Sequence, residues 1–348
     1  MDGAQDFDGS NDYVGIANES NFDFEWSNPF SVSAWIRPDS TALASQTIAA
    51  KMESPPNRGW TLDLFDPSSG SDAVTFQLVN VESGSPIQID VRSPSGVIEA
   101  GGLYHVVATY NGNGLASGVA IHINGVSQAL TVVHDNLSGN TTLNDFEPRI
   151  GKRTDNSWPF DGLIDEVRVS NVSRSPSWIQ TEYNNQASPS TFMSFGIEED
   201  QDRGVTPTGR SDTMSDSRTS EPSNHTLSFS VNSAVEASQS LEFTWPEGFS
   251  FTGGDSWYSN DWGFRKEIEI DKNKVAGAAT SFPVLINSTL WEWKHTSSGG
   301  HVGNTSGWDF LFTGSDGTTK LDHEIEKYAS STGELIAWVD VPFLSSTS

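Results

Sequence analysis

The sequence predicts an all-β protein of short antiparallel strands, on three observations. From about residue 5 to residue 170, alternating apolar and polar segments are separated by clusters of Gly, Asn, Asp, Pro and Ser, the rhythm of a β sandwich. Hydrophobic residues make up 35% and aromatic residues 11% of the 348 positions, so large rings carry packing that aliphatic side chains carry in helical bundles. Only residues 175–183 have the start signals of a helix.

In residues 30–36, Phe30, Val32, Ala34 and Ile36 share one strand face while Ser31, Ser33 and Trp35 take the other. Segments 60–65, 74–79, 87–91, 104–110 and 119–123 continue the alternation, and Asn124-Gly125 predicts a tight hairpin because both residues tolerate positive φ. Ser175 as N-cap and Pro176 at the first helical position predict a short surface lid. Residues 192–195 read as one closing strand. Residues 198–224 then lose periodicity to Ser, Thr, Asp, Pro and Arg, a linker expected to stay mobile and to be cut first by proteases, releasing residues 1–196.

Alternation returns at Leu227, Phe229 and Val231 and at Leu241, Phe243 and Trp245, enough for one hairpin. From Trp257 a further unit offers strands at 264–270, 282–286, 310–312, 321–328 and 335–341, with Asp316-Gly317 as a turn. The expected organisation is therefore a sandwich over 1–196, a polar linker over 197–224, a short β segment over 225–254 and an incomplete β-rich domain over 255–348. Abrupt ends lead to the expectation of an excerpt from a longer protein, with any export signal outside it.

Charge narrows the partners. Nineteen Lys and Arg against 46 Asp and Glu give a net charge of −27, which repels phosphate backbones and anionic lipid, so nucleic acid is not expected. With no cysteine there are no disulfides, thiolate metal sites or thiol chemistry. No apolar run reaches the ~20 residues that cross a bilayer as a helix, and the opening lacks a secretory-signal pattern. Serine-elbow, zinc-protease, phosphate-loop and dinucleotide motifs are absent from the sequence.

Two segments echo each other: FDGSNDYV at residues 7–14 and FDGLIDEV at residues 160–167. With SVSAWIRP at 31–38, YHVVATYNG at 104–112, IHINGV at 121–126 and the run DGLIDEVRVSNVSRSPSWIQTEY at 161–183, they make residues 5–196 resemble laminin-G-like, concanavalin-type jelly-roll domains. The resemblance implies a two-sheet jelly-roll sandwich that binds carbohydrate or protein, often with calcium, without catalysis. Residues 257–348 resemble a prokaryotic domain of unknown function that accompanies such modules in large secreted or surface-attached proteins.

Antiparallel terminal strands would bring Asp8, Asp12, Asp161 and Asp165 to one rim, a candidate calcium site because calcium takes six to eight oxygens without tight geometry. The alternative is that Asp-Gly pairs make turns, with the carboxylates accepting backbone hydrogen bonds. Trp158, in a polar loop with Arg153, Asp155 and Asn156, is the candidate ligand-binding group, since an indole face stacks on a pyranose and the neighbours reach its hydroxyls; in the family such rim loops carry ligands. The loop over 51–58 is a weaker neighbour candidate. Trp35 and Trp178 are expected to pack inward, and His105 and His122 to be hydrogen-bonded packing residues.

One segment points to an enzyme. In LDHEIEKY at 321–328, an extended chain puts Asp322, Glu324 and Glu326 on one face about 6.5–7 Å apart, near glycosidase carboxylate spacing. It resembles the Glu-x-Asp-x-Glu strand of jelly-roll glucanases but starts with Asp and lies outside the sandwich, and a solvated strand face or ion pairs with Lys320 or Lys327 is the competing reading. The sequence therefore predicts a non-catalytic carbohydrate- or protein-binding module of a secreted or cell-surface protein, with a structural spacer and then a glycoside hydrolase as the alternatives.

Overall fold

The computed structural model describes residues 3–52, 57–66, 70–82, 84–154, 157–200, 208–214, 225–230, 258–259 and 262–347. Two compact units divide it, one of residues 1–187 with 275–278 and the other of residues 188–274 and 279–348.

The strands of the first unit are β1 (Gln5–Asp8), β2 (Val14–Gly15), β3 (Phe30–Pro38), β4 (Ser45–Met52), β5 (Gly59–Asp66), β6 (Gly70–Val81), β7 (Ile87–Arg92), β8 (Tyr104–Tyr110), β9 (Val119–Ile123), β10 (Val126–Ser127), β11 (Thr131–Asp135), β12 (Arg149–Ile150) and β13 (Asp161–Ser170). They form two antiparallel sheets, one ordered β1-β13-β3-β8-β9-β10 and the other β11-β7-β6-β5-β4-β12-β2. Sequence neighbours mostly pair, but β13 inserts between β1 and β3, closing the sandwich with its own last strand.

The core lies between the sheets, where one phase of each alternation is used up. Phe30, Val32, Ala34 and Ile36 of β3 are buried in one cluster with Leu62, Leu64, Phe76, Leu78, Ile89 and Val91 of the seven-stranded sheet. Phe30 stacks on Phe24 at 4.3 Å and meets Tyr110 edge-on at 6.0 Å, so rings fill the centre as the composition implies. At the turn between β9 and β10, Asn124 and Gly125 have φ of 51° and 78°, the paired left-handed conformations of the expected hairpin.

Helix α1 (Pro176–Ala187) covers the other side of the six-stranded sheet. Its start is as expected: the Ser175 hydroxyl accepts the Trp178 amide at 3.2 Å. Trp35, in the opposite phase from Phe30, is buried beneath this helix, stacked on Tyr183 and donating its indole N–H to Gln186.

The second unit is smaller in its sheets. A short helix α2 (Pro189–Phe192) leads into β14 (Met193–Asp200), followed by β15 (Thr208–Met214), β16 (His225–Ser230), β17 (Phe264–Ile270), β18 (Ala279–Thr289), β19 (His323–Ala329) and β20 (Glu334–Leu344). Pairing gives β14-β17, β15-β16 and β18-β20-β19. Phe282, Val284 and Ile286 of β18 and Leu335, Ala337 and Val339 of β20 are among its buried residues. Pro283 sits on β18, an edge strand of that sheet, where its missing N–H costs no ladder bond.

Three expectations differ from this arrangement. Residues 192–195 do not close the sandwich: the strand is β14, it runs on to Asp200 and it pairs with β17, because apolar alternation marks a strand without naming its partner. Of the hairpin expected within 225–252, the described strand β16 pairs with β15, whose sequence TGRSDTM has no apolar rhythm and was read as part of the linker. Leu241, Phe243 and Trp245 lie outside the described residues, as does much of the segment read as a linker. Residues 310–312 are not a strand; Phe310 is held edge-on between Trp293 and Tyr328.

Candidate functional site

Strands β4 to β7 bury both phases of their alternation. The inner phase is core. The outer phase of the seven-stranded sheet carries polar side chains in register: Thr61, Gln77, Asp90 and His134 face one another across β5, β6, β7 and β11, and Thr47, Asp63, Thr75 and Arg92 form the adjacent row.

Arg153 organises this face. Its guanidinium donates to Asp63 Oδ2 at 2.8 Å and Gln77 Oε1 at 2.9 Å, and Glu82 lies 3.8 Å away. Asp63 Oδ1 also accepts the Thr47 and Thr61 hydroxyls at 2.7 and 2.8 Å. Further along the sheet, Arg92 donates to Asp90 Oδ2 at 3.2 Å, and Gln88 Nε2 and His134 Nδ1 are 2.9 Å apart.

Aromatic rings border these polar rows. Arg153 lies 3.5 Å from the centroid of the Trp158 ring, Trp158 stacks on Phe65 at 5.6 Å and 15°, and Arg92 sits 4.6 Å from the Phe65 centroid. Trp158 has φ of 56°, a left-handed conformation costly for a bulky side chain, and its carbonyl is tied to the Thr47 amide at 2.8 Å. Phe65, Trp158, Arg92 and His134 are each partly exposed. Among the described residues, Gln88 Oε1, Asp90 Oδ1, Arg92 Nε and Arg153 Nε are buried without a hydrogen-bond partner. Such atoms cost about 1–3 kcal/mol each when left unpaired, so four on one face mark a surface whose hydrogen bonds are incomplete within the chain.

The structure places Arg153 over the Trp158 ring. Arg153 is buried and bound to Asp63, so it is an internal anchor, and Trp158 is half-buried on its own chain rather than a free platform. Asp155 and Asn156 lie outside the described residues. Of the neighbouring loop, residues 53–56 also lie outside them, and Lys51 is a buried cation held by Glu19, Asp23 and the Asn144 carbonyl. Asp63, Gln77, Asp90, Arg92 and Phe65 escaped the sequence reading. Their signal was present in Thr61-x-Asp63, Thr75-x-Gln77 and Gln88-x-Asp90-x-Arg92, three strands with charged or amide groups in the same phase.

The four carboxylates expected to share calcium do not form one donor set. Asp8 and Asp161 are directly opposite on β1 and β13, but Asp8 Oδ1 accepts the Ser10 and Asn11 amides and Asp12 Oδ2 accepts the Asp8 amide, the bonds of a turn. Asp165 is four residues along β13 from Asp161, about 13 Å at ~3.3 Å per residue, and it faces Trp35 in register. Burial raises the Asp165 pKa, opposed by the Glu166 amide that donates to it. Among the described residues no three His, Asp or Glu side chains are grouped to hold a metal ion.

In the second unit, Glu324 and Glu326 are exposed on the edge strand β19. The register slips between Ile325 and Lys327, so the even carboxylate spacing is broken at Glu326.

Beneath α1, His105 Nε2 lies 3.5 Å from Glu182 Oε2, and Arg168 joins Glu182 Oε1 at 2.9 Å to Glu166 Oε2 at 2.7 Å. This cluster fastens the helix to the sheet. Burial first, and His105 second, push the pKa of His122 below its ordinary value, and among the described residues neither ring nitrogen has a partner. Above pH ~6.5 both folded and unfolded chains hold that imidazole neutral; below it the unfolded chain takes up a proton that the folded one refuses. Acidification through and below pH ~6.5 is therefore expected to lower the melting temperature, and His122→Leu to flatten the dependence; identical profiles for variant and wild type would refute the assignment.

Residues 8–180 match the family model described as the concanavalin A-like lectin/glucanases superfamily. Solved structures to which the chain is similar include a provisionally assigned carbohydrate binding protein from Bacteroides ovatus ATCC 8483, at 20% identity over 50% of this chain and 44% of that one, with a TM-score of 0.34. Others are a heptameric SAP-like pentraxin from Limulus polyphemus, at 16% identity over 51% and 80% with a TM-score of 0.37, and the CBM40 of the Ruminococcus gnavus IT-sialidase, at 13% over 51% and 94% with a TM-score of 0.39. The match covers less than half of the Bacteroides protein. No curated protein matches the chain.

Proposed function

We propose that the concanavalin A-like jelly roll at the N-terminal end of this chain is a non-catalytic carbohydrate-binding module of a secreted or cell-surface modular protein. Its ligand face is the outer side of the seven-stranded sheet around Gln88, Asp90, Arg92, Phe65 and Trp158. The observation that carries the reading is the set of buried hydrogen-bonding atoms left without partners on that face, beside partly exposed rings. Two arginines against Asp63, Asp90 and Glu82 leave the face close to neutral within a strongly acidic chain, and acceptors and donors alternate along it. That mixture suits the hydroxyls of a neutral glycan better than a basic or acidic protein surface.

The match of residues 8–180 to a lectin and glucanase superfamily supports binding of this class. Among the described residues no helix is long and apolar enough to cross a membrane. The test is a glycan array probed with the full chain, followed by titration of the best neutral glycan. Binding above background is expected; an array without binding leaves the structural spacer as the reading.

A further inference from the structure

A second feature of the sandwich unit shares no residue with that face. A shallow cavity of about 330 Å³ is lined by Asn21, Phe22, Phe24, Val169, Ser170, Asn171 and Arg174, where the turn after β2 meets the end of β13. The loop is fixed in place: Ser31 Oγ donates to the Val172 carbonyl at 2.8 Å and accepts the Arg174 amide at 2.9 Å.

Arg174 is unusual among the arginines of this acidic chain. Arg37, Arg92, Arg149, Arg153, Arg168 and Arg265 each have a carboxylate within ion-pair distance. Among the described residues Arg174 has none; its Nε donates to Ser170 Oγ at 3.4 Å and its guanidinium lies 4.2 Å from the centroid of the Trp178 ring. Among the described residues its two terminal nitrogens have no hydrogen-bond partner. A partly buried guanidinium that lines a cavity and has no carboxylate within ion-pair distance among the described residues presents an open fork for an external oxyanion.

The lining narrows the class. One cation in a strongly negative chain balances a single negative charge, which favours a carboxylate over a phosphate dianion. Asn21, Asn171 and Ser170 supply neutral donors and acceptors suited to hydroxyls, and Phe22 and Phe24 supply apolar surface. The volume is at the lower end of small-molecule sites, about 300–1,000 Å³, the scale of one sugar residue. We propose that this cavity binds a hexuronate residue, its carboxylate on Arg174 and its hydroxyls on Asn21, Ser170 and Asn171.

The probes are methyl glucuronide, methyl glucoside and inorganic phosphate, each titrated into the full chain and followed by calorimetry and protein NMR. Methyl glucuronide is expected to bind with a Kd in the millimolar range, and the other two about tenfold or more weaker. Arg174→Gln should weaken the glucuronide about tenfold or more at an unchanged melting temperature, and Arg174→Lys less, because it keeps the charge and loses the planar fork. Should Arg174→Gln not fold, Asn171→Ala, on an exposed residue, is expected to weaken it severalfold. Arg92→Ala, on the other face, should leave it unchanged, so this proposal and the one above fail separately. Equal binding of glucoside or phosphate, no binding of glucuronide, insensitivity to the Arg174 and Asn171 variants, or loss of binding in Arg92→Ala would overturn the assignment.

Discussion

Arg153→Met is expected to destabilise the sandwich by about 3–5 kcal/mol, the cost of leaving a buried carboxylate without its partner. Asp63 is fully buried and its Oδ2 has the Arg153 guanidinium at 2.8 Å, while Oδ1 is already taken by two threonine hydroxyls. Asp63 has no solvent access of its own, so removing the arginine leaves its carboxylate without a counter-charge. Urea unfolding followed by tryptophan fluorescence measures the loss, and Asp63→Asn in the Arg153→Met background should recover part of it by removing the stranded charge. A change within ~0.5 kcal/mol, the range of an ordinary surface substitution, would show that Asp63 is solvated and the face more open than described.

Trp158→Ala is expected to act on binding more than on stability. The ring is half-buried, so truncation should cost about 1–2 kcal/mol, below the ~3–5 kcal/mol of a fully buried aromatic, while weakening glycan affinity about tenfold or more. Trp158→Gly separates ring from backbone, since glycine accepts the positive φ freely. Equal affinity losses in Ala and Gly variants assign the effect to the ring. A loss confined to stability, with affinity intact, would make the stack only a brace for Arg153.

Much of the fold was legible because a half-buried strand writes its inner face as every second residue. Phe30, Val32, Ala34 and Ile36 show this, and all four are fully buried. The hairpin at Asn124-Gly125 was legible for a local reason, the scarcity of residues that accept positive φ. Period two does not say which strand is the neighbour, and so β14 was assigned to the sandwich, while β15, which has no apolar rhythm, was read as linker. It also does not say whether the polar phase is wet. In β5, β6 and β7 that phase is covered and cross-linked, which is why Asp63, Gln77 and Asp90 were missed.

The echoed FDG segments were read for their acids, yet their common meaning lies in the other residues. Phe7 and Phe160 are both buried in the core and meet edge-on at 6.4 Å, while Gly9 and Gly162 both have positive φ. The repeat marks where the first and last strands of the sandwich pair, with Asp8 opposite Asp161.

The most direct test of the binding face is calorimetric titration of the best neutral glycan into wild type, Arg92→Ala and Glu324→Gln. Arg92 lies on the outer face beside the unpartnered Asp90 and Gln88 atoms, whereas Glu324 is exposed on β19 of the other unit. The account predicts that Arg92→Ala weakens binding about tenfold or more and that Glu324→Gln leaves it unchanged. Unchanged affinity in Arg92→Ala together with loss in Glu324→Gln would contradict it and move the binding site to the second unit.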